Sequence, residues 1–306
     1  MGRFVARRLI MLIPVLFGVS IIAFMILHLA PGDPAEMLAG VEASQQEIEL
    51  IRERFGLNQP LHIQYFRFLR GVVTGDMLSL KYEQPVYKII GPRLKNTLIL
   101  SVAAMAISII LGVIAGVLAA VYRYSWLDYL ATVLALLGIS MPVFWWGLLM
   151  ILVFAVNLMW LPSGGMGGIR NLVLPAIVLG TASMGIITRM TRSSMLDVLR
   201  QDYITTARAK GLLEKIVIVR HALRNAMIPT ITVIGLQFGG HLAGAVLTES
   251  VFSWPGVGRL LVGSILARDY PVVQTTLLIV AAIFVFANLM VDILYAYLDP
   301  RIRYHG

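Results

Sequence analysis

Apolar residues are gathered along this chain into six long runs: Leu9–Ala30, Leu98–Tyr122, Leu127–Val156, Leu172–Thr188, Met227–Leu247 and Thr275–Leu298. About 20 helical residues suffice to cross a bilayer. The pattern therefore predicts an all-α integral membrane protein with six transmembrane helices. The third run, 30 residues long, would measure about 45 Å as one helix, against a hydrocarbon core of about 30 Å. It must tilt, bend or leave the membrane early, and Pro142 in Ser140-Met-Pro142 is the expected bend. The fourth run is short and carries Pro175 near its start, a position that tolerates proline.

The polar stretch 31–96 has helical signals of its own. Ser44-Gln-Gln-Glu47 is a capping-box pattern that opens a helix running to about Phe55, after which Gly56 and Pro60 punctuate. His62–Val73 reads as a second amphipathic helix and Pro85–Lys95 as a third. The expected organisation is a tail and first transmembrane helix over 1–30, an outer-face cap over 31–96, and a five-helix core over 97–306. That core carries a basic cytoplasmic loop at 189–226.

Composition agrees. The chain is 58% hydrophobic and 13% charged, against about 45–50% and 25% in soluble domains, which leaves little room for a separate soluble domain. In a soluble protein the net charge of +9 would suggest nucleic acid; here it sorts by membrane side, and no nucleic acid is expected. The segment Arg189–Arg224 holds eight basic and three acidic residues, whereas 31–96 holds eight of each sign and 248–274 two of each. Positive residues favour the cytoplasm, so both termini are expected there. The first apolar run of 22 residues exceeds a signal-peptide core of about 7–15, so an uncleaved first span is expected. The absence of cysteine excludes disulfides, thiol nucleophiles and cysteine metal sites without fixing the compartment.

Few residues speak for chemistry. There is no G-x-x-x-x-G-K-[ST] phosphate cradle, no G-x-S-x-G and no H-E-x-x-H. The histidines at 28, 62, 221, 241 and 305 are scattered. No enzymatic activity, metal or cofactor is expected of this chain. Gly112/Gly116, Gly235/Gly239 and Gly240/Gly244 have the spacing that lets helix backbones approach. Packing within the subunit is one reading. The other is a conduit at a subunit interface, with Gln237, Gly240, His241 and Gly244 lining it, since polar groups at membrane depth need partners or a wet cavity. Asp292 reads as a buried acid about two turns from the end of the last span, as a partner for a loop arginine or as a proton-relay group.

The segment Thr188–Met227 carries the most information. Arg200–Lys210 is compatible with a helix, and Gly211 can end it in the left-handed conformation. The chain can then resume as a helix over Leu212–Arg224, where Leu212, Ile216, Val219 and Leu223 form one apolar face. Two short helices with small and apolar surface between charges suit a groove on another protein; an amphipathic helix lying on anionic lipid is the alternative.

At these residues the sequence resembles the inner-membrane permeases of bacterial dipeptide, oligopeptide and nickel ABC importers, in the B-type branch. Thr205-Thr206-Ala207 occupies the Glu-Ala-Ala positions of that family's coupling loop, and Gly211 its glycine. The first two residues of that pattern are replaced. The peptide-importer form fits better: Thr206-Ala-Arg208-Ala209-Lys210-Gly211, then His221-Ala-Leu223-Arg224-Asn-Ala after Arg220, and Pro229 beyond. Leu29-Ala-Pro-Gly-Asp-Pro34, Leu57-Asn-Gln-Pro60, Trp254-Pro-Gly-Val-Gly258, Arg268-Asp-Tyr-Pro271 and Asp299-Pro-Arg-Ile-Arg303 resemble further signatures of the group. The resemblance implies a type I importer fold, half of a pore completed by a second permease subunit, and two cytoplasmic ABC ATPases that bind ATP and Mg. It also implies a substrate-binding protein on the outer face and a bacterial inner-membrane location. Peptide, glutathione and nickel members share these motifs. A gradient-driven secondary transporter would show internal repeats and midplane ionisable pairs; a lipid-bound scaffold without transport would leave the polar fifth span unexplained.

Overall fold

The computed structural model describes residues 2–29, 32–40 and 43–298. The described residues are helical almost throughout and divide into two compact units. One comprises Gly2–Thr97 with Pro255–Phe286, the other Leu98–Trp254 with Ala287–Gly306. The motif Asp299–Arg303, and Ala30 and Pro31 of the first signature, lie outside the described residues.

Among the described residues four helices are long and apolar enough to span a membrane: α1 (Gly2–Leu29), α5 (Val86–Val121), α8 (Ile169–Leu199) and α13 (Tyr270–Leu298). Two bent pairs bring the number to six if each pair is one span. The first pair joins α6 (Trp126–Ser140) to α7 (Val143–Met150), which continues as a π-helix over Ile151–Asn157, with a bend of 112°. The bend falls at Met141-Pro142, where proline was expected to place it: its ring cannot continue the α-helix and pushes the preceding residue to extended backbone. The second pair runs through Glu214–His241 and Ala245–Val251, bent by 55°.

In the first unit, α2 (Pro34–Ala39), α3 (Gln45–Phe55) and α4 (Leu61–Thr74) follow α1. The expected capping box is present: Glu47 N–H donates to Ser44 Oγ, and Ser44 N–H donates to Glu47 Oε2 at 2.7 Å. Gly56 ends α3 with φ +64°. Residues 86–95, expected as a third short helix, are instead the first turns of α5. The helix runs on from Val86 to Val121 although Pro92, in its second turn, withholds one rung of the ladder. The α4 residue Phe68 packs on Ala23 and Phe24 of α1, and Tyr65 OH meets Ser20 Oγ at 2.6 Å. The motif residue Asp269 is fully buried and ties down the turn after α4, accepting from Ser79 Oγ at 2.5 Å and from Leu80 and Lys81 N–H. Val86 and Ile90 pack against Leu260 of α12 (Val257–Leu266) and Val272 of α13.

In the second unit α8 is the hub. Its small residues let neighbours approach to backbone distance. A Cβ at Gly180 would stand 2.7 Å from Ala104 O, and one at Gly185 2.5 Å from Ala135 O. The Gly112/Gly116 pair faces α8 in the same way, a Cβ at Gly116 standing 2.6 Å from Thr191. This pair is therefore packing within the subunit. Helix α8 also runs 11 residues beyond the fourth apolar run, so the first third of the expected loop is a rigid continuation of a span.

Candidate functional site

The segment after α8 folds as α9 (Asp202–Ala209), a turn through Gly211, the single helical turn α10 (Glu214–Ile216) and a π-helix over Val217–Leu223. It then enters α11 (Arg224–Val251) without a break. Gly211 has φ +75° and ends α9 as expected, with its N–H donating to Arg208 O at 2.9 Å. Side chains other than glycine resist that conformation. Arg208 reaches over the turn to Glu214, with Nη2–Oε1 2.6 Å and Nε–Oε2 3.1 Å. Asn225 donates to Tyr203 OH at 2.8 Å, which ties α9 to the start of α11.

Beneath this surface lies a small apolar core: Ala120, Met195, Ile204, Ala207, Val217, Ala222 and Ala226. It fastens the loop to the ends of α5 and α8. A π-helix brings residues five apart onto one face, which explains why Val217 and Ala222 both point inward. The expected apolar face is present as a second, outward one. Leu212, Ile216 and Val219 are exposed, while Leu223 is half-buried. The loop thus has two apolar faces where the sequence spacing suggested one.

The other residues singled out in the loop separate accordingly. Thr205, Thr206, Arg208, Ala209, Lys210, Gly211, Arg220 and Arg224 are exposed, and His221 is half-buried. Ala207 differs from its immediate neighbours: it is 7% exposed and belongs to the loop core, so its smallness serves packing.

The base of the loop is fixed by a pair that sequence reasoning overlooked. Asp128, in the first turn of α6, is 3% exposed. It receives Arg192 Nε and Nη2 at 2.6 and 2.8 Å and Tyr124 N–H at 3.0 Å. The Ser-x-x-Asp spacing of Ser125–Asp128 is a local signal, but its arginine partner lies 64 residues away. Glu249, fully buried near the end of α11, also escaped notice, because the fifth apolar run stops two residues before it.

The fifth-span residues part company. Gln237 donates to Ser183 Oγ of α8 at 2.9 Å, and His241 is 4% exposed. Both are held within the unit. Gly240 is exposed, and a Cβ there would meet nothing. Gly240 and His241 are adjacent and point about 100° apart. A Cβ at Gly235 would strike Val291 of α13, so this glycine serves internal packing. Gly244 and Asp292 lie in α11 and α13, but their surroundings are outside the described residues. No cluster of metal-ligating side chains occurs among the described residues.

Four candidate spans, or six if each bent pair is one, with a folded basic loop on a helical base and small-residue packing around α8, define a multi-pass helical membrane protein. Residues 108–304 match the family described as binding-protein-dependent transport system inner membrane component. Residues 1–101 match the corresponding N-terminal family of such membrane components. The chain is 47% identical to the dipeptide transport system permease protein DppB of Alkalihalophilus pseudofirmus, over 97% of this chain and 98% of that one. It is also 47% identical to the glutathione transport system permease protein GsiC of Escherichia coli K12, over 99% and 100% of the two chains. The fold resembles the crystal structure of an amino acid ABC transporter with histidines, with a TM-score of 0.52 at 16% identity over 70% of this chain and 94% of that one. The chain belongs to the binding-protein-dependent transport system inner membrane components, the permease subunits of ABC importers of bacterial inner membranes.

Proposed function

We propose that this permease imports short peptides or a related small solute such as glutathione, forming half of a pore with a second, similar permease subunit. Two cytoplasmic ABC ATPases bind and hydrolyse ATP with Mg; this chain binds no cofactor and performs no hydrolysis. A binding protein on the outer face delivers cargo. Both termini and the 189–226 loop face the cytoplasm, and the loop docks into one ATPase. The observation that carries this reading is the loop's construction, a solvent-facing row of Leu212, Leu213, Ile216 and Val219 beside Lys210, Arg220 and Arg224, mounted on its own buried core. An apolar row flanked by cations fits a groove with an acidic rim, and a rigid mount transmits the ATPase's movement into α8 and α11. The exposed face of α11 at Leu236 and Gly240 is the side offered to the pore and the partner permease. A ligand shifts a conformational equilibrium only by its differential affinity, so ATP must favour the outward-open state.

The test is co-purification of the tagged chain in mild detergent with identification of what accompanies it. A second permease and one or two ATPases are expected, with the ATPases lost from a Gly211→Val variant that still inserts. Recovery of the chain alone, able to move a solute into liposomes without ATP, would overturn the reading in favour of a gradient-driven carrier.

A further inference from the structure

Helices α5 and α6 each carry one exposed apolar row. On α5 it runs through Leu111, Ile114 and Leu118 to Tyr122; on α6 it runs from Trp126 through Tyr129 and Val133 to Leu137. Spacing by three and four keeps each row on one face of its helix. Both rows are aliphatic along the helix and become aromatic at the same place, the turn that joins α5 to α6. That turn is only four residues long, 122–125, so it stays at the level where the chain leaves the hydrocarbon and re-enters it. Tyr122, Tyr124, Trp126 and Tyr129 are all exposed there, between 52% and 71%. Tyrosine and tryptophan concentrate at membrane–water interfaces, because each joins an apolar ring to a polar tip.

The turn is fixed in shape. Tyr124 holds φ +62°, a left-handed conformation uncommon outside glycine. Its N–H donates to Asp128 Oδ2 at 3.0 Å, and the same carboxylate is held by Arg192 of α8. Ser125 Oγ donates to Tyr122 O at 2.5 Å. On this frame stands one exposed cation. The Arg123 guanidinium lies over the Tyr124 ring, with Cζ 4.3 Å from the centroid, and Nη2 donates to Tyr124 OH. Arginine has five N–H donors in a planar fork, so one bond to a hydroxyl leaves enough for a bidentate contact with a phosphate. The only acid within 122–129 is Asp128, which is buried and already paired.

We propose that this turn binds an anionic phospholipid, with the headgroup phosphate on Arg123 and the acyl chains along the rows of α5 and α6. Two observations choose this occupant. The aliphatic rows run without interruption into the aromatic turn, which suits a molecule with both a headgroup and chains; a free phosphate would leave the rows unused. The exposed charge of the turn is positive, and a basic residue at an anionic leaflet gains an attraction that a zwitterionic surface does not supply. The site is independent of the cargo.

The test is equilibrium binding of a spin-labelled phosphatidylglycerol to the full chain in a non-ionic detergent, read as the motionally restricted fraction of the signal. Competitors are unlabelled phosphatidylglycerol, phosphatidylcholine and inorganic phosphate. Saturable binding is expected. Phosphatidylcholine should compete about fivefold less well, and Arg123→Gln should weaken binding about fivefold, as the loss of one basic residue at an anionic surface implies. Tyr124→Gly relieves the left-handed backbone and removes the ring beneath the guanidinium, so it should weaken binding about two- to fivefold. Arg170→Gln, at the opposite end of α8 from Arg192, should bind as the parent does. Variants are compared after their size-exclusion profiles match the parent. No saturable binding, equal competition by phosphatidylcholine, or equal losses from Arg123→Gln and Arg170→Gln overturns the proposal. Inorganic phosphate competing as well as phosphatidylglycerol assigns Arg123 to a free anion and also overturns it. The measurement is repeated on the complex recovered by co-purification; lipid binding that is lost there assigns the turn to a protein contact and overturns the proposal.

Discussion

Replacing Asp128 by asparagine keeps the side chain's shape and removes its charge. Arg192 then keeps at most one acceptor, the amide oxygen, and loses the ion pair and the second of its two bonds, now at 2.6 and 2.8 Å. Removing one partner of a buried pair costs about 3–5 kcal/mol, because the other charge is left uncompensated. The Arg192 side chain is 30% exposed, so water recovers part of this, and bonds to charged groups are worth about 1.5–3 kcal/mol. The expected loss is about 2–4 kcal/mol, or a fall of roughly 5–10 °C in melting midpoint for a chain of this length. The assay is a double-mutant cycle on Asp128→Asn and Arg192→Gln, with midpoints read from the surviving monodisperse peak after heating in detergent. The double variant should be more stable than the sum of the single losses predicts, by at least about 1 kcal/mol. Additive losses, or an Asp128→Asn midpoint within about 1 °C of the parent, would refute the argument that this pair fixes the base of the loop.

Other outcomes follow from the same structure. A Cβ at Gly211 would meet no atom within 4 Å, so Gly211→Val should cost mainly backbone strain, about 1–2 kcal/mol, leave insertion intact and uncouple ATP hydrolysis from uptake; normal uptake would argue against coupling through this turn. Ala207→Leu overpacks the loop core and should destabilise it by about 1–3 kcal/mol, read as faster proteolysis within 200–224, whereas Ala209→Leu on the exposed side should not. In the 31–96 segment the Ala35 N–H and the Arg52 guanidinium hold the Asp33 carboxyl below its usual value of 3.8. A depressed carboxylate stabilises the fold above its unfolded pKa, and the benefit is lost as pH falls through the folded value. Protease resistance of that segment should therefore be flat from neutral pH down to about 4 and decline below it; a decline already at pH 6 would assign the tie elsewhere.

Much of this was legible in the chain, for identifiable reasons. Span positions follow from transfer free energy, which is local, and the Pro142 bend and the Ser44 capping box follow from rules that act within four residues. The turn at Gly211 is of the same kind. What escaped depends on partners far away in sequence. Asp128 looks like a surface acid until Arg192, 64 residues on, arrives beside it. Asp269 looks like a loop acid until it meets the turn at Ser79, 190 residues earlier. The inward face of the loop was missed because Val217–Leu223 is π-helical, so spacing by three and four does not describe it. Residues 86–95 were separated from the second span because their charges resemble a surface helix, yet α5 passes through them despite Pro92.

The central claim is that the outward face of the 189–226 loop seats in an ATPase. Because the chain contains no cysteine, single cysteines report without background. Leu213→Cys and Val219→Cys, at positions 73% and 55% exposed, are treated in membranes with a short bifunctional thiol or photoactivated cross-linker, with Ile204→Cys as the buried control. The account predicts cross-links from both exposed positions to one ATPase subunit, altered in yield by ATP, and none from Ile204. Adducts with lipid alone, or cross-links that form equally well when the ATPases are absent, would contradict it.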